Sequence, residues 1–168
     1  FTNLFQLHNS GLYELRDYEV IRLTFFVKHL MEIEASRPDL LPHFKRALKR
    51  AMSAENFFGV RFEINIAASL ISRQVPLTKS ESPDFVIDNT TLAIECGSVR
   101  VSKHNPTSNL AYKIGSCIRS KEKKGYHNTY TALFMDFTNL SFQSGYPELE
   151  AFRKAATEAA SEMSFGSV

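Results

Sequence analysis

The chain has 168 residues, of which 43% are hydrophobic and 23% charged, enough for one domain with a substantial core and ordinary for a soluble globular protein. No apolar run approaches the roughly 20 residues that span a bilayer and no signal-peptide pattern opens the chain, so a cytoplasmic protein with no membrane partner is expected. A net charge of +2 and a pI near 8.6 are too mild to indicate nucleic acid by themselves. The chain opens on Phe1 rather than methionine, as a piece of a longer protein would.

From Leu15 to about Glu34 the residues Val20, Leu23, Phe26, Val27, Leu30 and Met31 recur at helical spacing. This aromatic-rich helix, with Phe25 and Phe26, is expected to pack on the core; a homodimer surface is the alternative. Pro38 punctuates, and a second helix is expected from about Asp39 to Met52, with Lys45, Arg46, Lys49 and Arg50 on its exposed face. That face reads either as solvated or as phosphate-facing. Ser53 reads as the N-cap of a third helix, Ala54 to Arg73, which Pro76 and the polar stretch Thr78 to Ser82 end. Two β-rich runs, Asp84 to Asp88 and Thr91 to Val101, flank Asn89-Thr90 and predict a hairpin. A helix from about Ser108 to Lys124 follows, with Leu110, Ile114, Cys117 and Ile118 as its stripe. Then come a buried strand, Thr131 to Phe137, and a last helix opened by Pro147. Cys96 and Cys117 fall in core-like segments and are expected to be reduced. The order predicts a mixed α/β layer rather than a bundle or sandwich.

Three acidic residues stand where apolar ones are expected. On the third helix Glu63 has Gly59 and Val60 one turn before it, with Ile66, Ala67 and Leu70 after it. It therefore lies on or beside a buried stripe, where a carboxylate is costly unless compensated. Pairing with Arg61, Arg73 or a helix N-terminus is the ordinary compensation. In the hairpin, any even loop centred on Asn89-Thr90 opposes residues whose numbers sum to 179, so Val86 meets Ala93 and Asp84 meets Glu95. Asp84 and Glu95 then share one face, while Phe85, Ile87, Leu92, Ile94 and Cys96 give apolar surface on the other. Directly opposed Cβ atoms lie about 4.5–5.5 Å apart, and like charges so placed repel. A divalent cation between them removes that penalty, and oxygen donors suit Mg²⁺ or Mn²⁺ better than zinc. The ordinary alternative is a solvated Asp84 and a Glu95 paired with a lysine. Ala93 and Gly97, small residues on the face of Glu95, leave room for an ion or a phosphate, and Gly97 also reads as a bulge.

These residues resemble the PD-(D/E)xK nucleases, the restriction-endonuclease-like superfamily. The likeness is carried by Ser82-Pro83-Asp84-Phe85-Val86-Ile87, by Leu92-Ala93-Ile94-Glu95-Cys96-Gly97, and by Gly59 and Glu63 in the Gly-x-x-x-Glu form often found on a helix of that family. It spans Ala54 to Phe137, about half the chain. The resemblance implies a central mixed sheet flanked by helices and does not account for residues 1–52 or the last helix; residues 1–52 are expected to be an N-terminal helical extension and residues 53–168 one compact nuclease-like core. It implies that Asp84, Glu95 and Glu63, helped by the Cys96 carbonyl, hold Mg²⁺ (or Mn²⁺), which activates water and offsets charge on a DNA phosphodiester. A lysine then orients the water or neutralises developing charge.

The sequence departs from the family where that lysine belongs, two residues after the second acid, because Gly97 stands there. Lys113, in the first half of the following helix, is the first candidate to supply it, with Lys103, Lys121 and Arg100 as alternatives. Arg119, Lys121, Lys123 and Lys124, together with Arg100 and Lys103, form the basic set expected to contact nucleic-acid phosphates; at a helix C-terminus the run also complements the macrodipole. Among the five histidines none has metal spacing with another. The expectation is a Mg²⁺-dependent DNA nuclease; the alternative is an inactive module of the same fold that binds nucleic acid or a protein.

Overall fold

The computed structural model describes residues 8–11, 13–51, 54–99, 110–124, 130–138 and 149–161. They divide into two compact units, Phe1–Val75 and Pro76–Val168. The third helix belongs to the first of these. Among the described residues no helix is long and apolar enough to cross a membrane.

The helical unit contains α1 (Tyr13–Ser36), a 3₁₀ turn (Pro38–Leu40), α2 (Leu41–Arg50) and α3 (Ala54–Ser72). Pro38 and Pro42 sit in the first turns of the 3₁₀ segment and of α2, where a missing N–H costs nothing. Both α1 and α2 pack on α3. Ile33, Phe44, Ile64, Ala67 and Ala68 are buried, the last three repeating at i, i+3 and i+4 along α3. Phe26 meets Phe57 edge to face at 5.6 Å, and His29 Nδ1 lies 2.8 Å from Asn65 Oδ1. Phe26 thus packs inward as expected, whereas Phe25 is exposed along with Val20, Ile21, Val27 and Met31.

The second unit is an α/β layer. Its strands β1 (Leu77–Lys79), β2 (Phe85–Ile87), β3 (Leu92–Ser98) and β4 (Tyr130–Asp136) form one four-stranded mixed sheet in the order β1-β2-β3-β4. The first three strands are antiparallel; β3 and β4 are parallel, joined by a crossover through α4 (Leu110–Glu122), as parallel pairing requires. The unit closes with α5 (Leu149–Ser161), packed on α4. The hairpin register is the expected one: Phe85 pairs with Ile94 and Val86 with Ala93. Asn89 takes the left-handed φ of 61° in the connecting turn, a conformation asparagine tolerates well. Strand β1 is an addition, because the stretch after Pro76 reads in sequence only as a polar terminator.

Alternation splits β3 between two faces. Ala93, Glu95 and Gly97 point one way with Leu133 and Met135 of β4, and this face lies under α4, where Val99, Ile114, Ile118 and Ala155 form a buried cluster. Ser53 and Pro147, the expected openings of α3 and α5, lie outside the described residues, as do Ser108 and the C-terminal end of the run to Val101.

Candidate functional site

Asp84 stands immediately before β2. The strand pairing brings the turn of residues 80–84 alongside β3: Ser80 N donates to the Asp84 carbonyl at 3.0 Å, and the Ser80 hydroxyl donates to the Pro83 carbonyl. The Asp84 side chain is buried. Its Oδ2 accepts from the Cys96 N–H at 2.7 Å, so the carboxylate takes up a strand amide and is fixed against β3. Its Oδ1 faces Lys79 Nζ at 3.4 Å. That ammonium also donates to the Ser80 carbonyl at 2.9 Å and lies 5.1 Å from the Phe85 ring centroid.

Glu95 lies mid-strand on the α4 side, only 1% exposed. One oxygen, Oε1, accepts from Lys121 Nζ at 2.5 Å and from Lys124 Nζ at 3.0 Å. The Lys121 ammonium donates to the Cys96 carbonyl at 2.6 Å as well. Gly97 makes this possible. A Cβ there would lie 2.9 Å from Met135 Sδ, 3.3 Å from Cys117 Sγ and 3.7 Å from Lys121 Cε. The room that sequence reading kept for an ion or a phosphate is therefore occupied by two sulfur side chains and the stem of Lys121.

Two carboxylates are thus balanced by three ammonium groups. A buried carboxylate without a partner costs several kcal/mol in rough terms, and here Lys79 faces one and Lys121 and Lys124 bond the other. Burial by itself would lower the pKa of Lys124; the hydrogen bond to Glu95 and the charges of Glu95 and Asp84 together outweigh it and raise the pKa. The Cys117 thiol is pushed up by burial, against the opposing pull of the Lys121 charge.

Asp84 is joined to Cys96 through the amide, and Glu95 to the Cys96 carbonyl through Lys121. Glu63 is half-buried on α3, in the helical unit, beside the buried Val60, Ile64 and Ala67. The lysines bonded to Glu95 Oε1 are Lys121, one of the alternatives to Lys113, and Lys124. The reason is directional. Val99, at the end of β3, packs with Ile114 in the first half of α4, so moving back along β3 to Gly97 and Glu95 means moving forward along α4 to Cys117 and Lys121. Lys113 lies two turns, about 12 Å of helix rise, before Lys121. Arg119 lies over the Tyr112 ring at 5.9 Å, and Lys123 is exposed. Arg100 and Lys103 lie outside the described residues. Sequence reading missed Lys79, which sits on the unforeseen β1, and placed Lys124 only among the phosphate contacts.

Among the described residues no three His, Cys, Asp and Glu side chains are grouped to hold a metal ion. The oxygen donors gathered here are the two carboxylates of Asp84 and Glu95 and the Cys96 peptide oxygen. The Lys121 ammonium seated on Glu95 Oε1 and the Cys96 carbonyl is a cation held by two hard oxygens, and such a donor set suits Mg²⁺ or Mn²⁺. Comparison with protein-family models, with curated proteins and with solved structures finds no match.

Proposed function

We propose that the chain is a Mg²⁺-dependent nuclease domain of the restriction-endonuclease-like, PD-(D/E)xK kind, hydrolysing DNA phosphodiester bonds. The observation that supports this reading is the single hydrogen-bonded cluster of Asp84, Glu95, the Cys96 carbonyl and Lys121 on one side of a mixed sheet. In it a lysine from α4 stands in for the one the family places two residues after the second acid.

Asp84, Glu95 and the Cys96 carbonyl would hold the ion. Mg²⁺ supplies a Lewis acid there, lowering the pKa of water and offsetting phosphate charge. Lys121 leans over Gly97 and keeps a positive charge beside Glu95, where it orients the attacking water and stabilises the extra charge on the phosphate. Lys79 fixes the Asp84 carboxylate, whose other oxygen is held by the Cys96 amide. Water adds its oxygen to phosphorus and gives up a proton to solvent, the ester P–O bond breaks, and the leaving oxygen takes a proton from solvent in return.

A second reading has its own observation. Lys79, Lys121 and Lys124 balance both carboxylates without any metal, as a nuclease-fold module that only binds a partner would require. The test is incubation of linear, circular and single-stranded DNA with Mg²⁺ or Mn²⁺, comparing wild type with Glu95→Ala. Metal-dependent cutting that disappears in the variant upholds the nuclease; a folded wild type that neither cuts nor binds metal leaves the binding module.

A further inference from the structure

We propose that the outward face of α2 is a docking surface for the phosphate backbone of a nucleic acid, separate from the carboxylate cluster. The choice of nucleic acid among polyanions rests on the nuclease reading; the surface itself does not.

Helix α2 has two opposed faces. Phe44 is completely buried, and Leu40 and Ala51 at the helix ends are buried with it. Lys45, Arg46, Lys49 and Arg50 are all exposed on the other side. No acidic residue occurs in Leu41–Arg50. The nearest acid in the chain, Asp39, is committed to Arg37, which donates to its two oxygens at 2.9 and 2.8 Å. That hydrogen bonding, together with the Arg37 charge, holds the Asp39 carboxyl below its usual range against the opposing effect of burial. The hydrogen bonds of Arg46 are long, 3.3 Å to the Pro42 carbonyl and 3.5 Å to His43 Nδ1.

Lys45 with Lys49, and Arg46 with Arg50, are like charges four residues apart, a spacing that destabilises an isolated helix. The macrodipole favours Lys49 and Arg50 in the last turn but does nothing for Lys45 and Arg46 in the middle. The repulsion has no counter-charge from an acid on α2 itself. A ligand that brings regularly spaced negative charge removes it. The two rows repeat at about 6 Å along the axis, and a nucleic-acid strand presents a phosphate every few ångströms. Two arginines add planar forks that grip phosphate oxygens in pairs. Contacts of this kind hold the substrate without reading sequence.

The test is fluorescence anisotropy of a labelled DNA duplex with the full chain in chelator, so that nothing is cut. Wild type is compared with Lys45→Gln/Arg46→Gln/Lys49→Gln/Arg50→Gln, and with Lys45→Arg/Lys49→Arg, which keeps the charge. Neutralisation is expected to weaken binding at least about tenfold and to flatten the slope of log affinity against log salt by about 2 to 4, near 0.9 for each phosphate that the helix no longer neutralises. The arginine variant should bind as wild type does. If the quadruple variant does not fold, by far-ultraviolet circular dichroism, the doubles Lys45→Gln/Lys49→Gln and Arg46→Gln/Arg50→Gln carry the comparison. Unchanged affinity and slope in folded variants overturn the proposal, as does a wild type that binds phosphatidylserine vesicles or polyglutamate but not the duplex. A wild type that cuts nothing in Mg²⁺, yet loses duplex binding when α2 is neutralised, upholds the docking surface and sinks the nuclease reading.

Discussion

Lys121 donates to Glu95 at 2.5 Å across 26 positions of sequence, and the carboxylate it meets is almost completely buried. The same ammonium closes on the Cys96 carbonyl, so one α4 side chain clamps two consecutive residues of β3. Asp84, from the turn just before β2, clamps the same point through the Cys96 amide. The cluster is therefore a structural joint between hairpin and helix, whatever chemistry it performs.

Removing one partner of that joint should already incur much of the cost of removing both. Lys121→Met takes the closer ammonium from the buried Glu95, leaving the more exposed Lys124 on it, and should destabilise the chain by about 3 kcal/mol. Glu95→Gln/Lys121→Met should cost clearly less than the two single changes added together. Urea unfolding of the four proteins measures this, and a Lys121→Met cost below about 0.5 kcal/mol, as for a surface pair, contradicts it.

Gly97 is expected to resist any side chain. Alanine there comes within 2.9 Å of Met135 Sδ, and moving that sulfur in a filled space should cost about 1–3 kcal/mol. Truncation of Met135 to alanine should make Gly97→Ala cheaper than it is in wild type. Equal cost in both backgrounds would mean that the thioether is not the obstacle.

Cys117 should be a slow thiol. Burial raises its pKa and Lys121 lowers it, so alkylation at about pH 8 should be slower in the folded chain than in urea, and slower still in Lys121→Met. Peptide mass spectrometry resolves Cys117 from Cys96. Faster alkylation in Lys121→Met would reverse the assigned influence of that charge.

Lys124 has its pKa raised by the two carboxylates in spite of burial. A group raised in the folded state contributes stability that is complete below its unfolded pKa and is lost as pH climbs through the folded value. The cost of Lys124→Gln should therefore be the same at about pH 7 and about pH 9, and should shrink only in stronger alkali. Thermal unfolding across that range checks it; a cost that disappears by about pH 9 contradicts the raised value.

Much of this site is legible in the sequence. The facing of Phe85, Ile87 and Ile94 against Asp84 and Glu95 selects the register, since a one-residue slip would turn every apolar residue over, and the observed pairs Phe85–Ile94 and Val86–Ala93 are those of the even turn. Strand β1 was hidden because three residues hold too little alternation to read, and Lys79 was hidden with it. The choice of Lys121 over Lys113 depends on which turn of α4 lies over Glu95. That is set by packing of Ile114 and Ile118 with Val99, a tertiary relationship that helical spacing does not encode.

The most direct test of the central claim, that Asp84 and Glu95 form a divalent-metal site, is calorimetric titration of Mn²⁺ into wild type and Asp84→Asn/Glu95→Gln. Saturable binding by wild type that the double substitution abolishes is the predicted result, with Lys121→Met binding at least as tightly because one competing cation is gone. A folded wild type that takes up no Mn²⁺, or takes it up equally well without the two carboxylates, would contradict it.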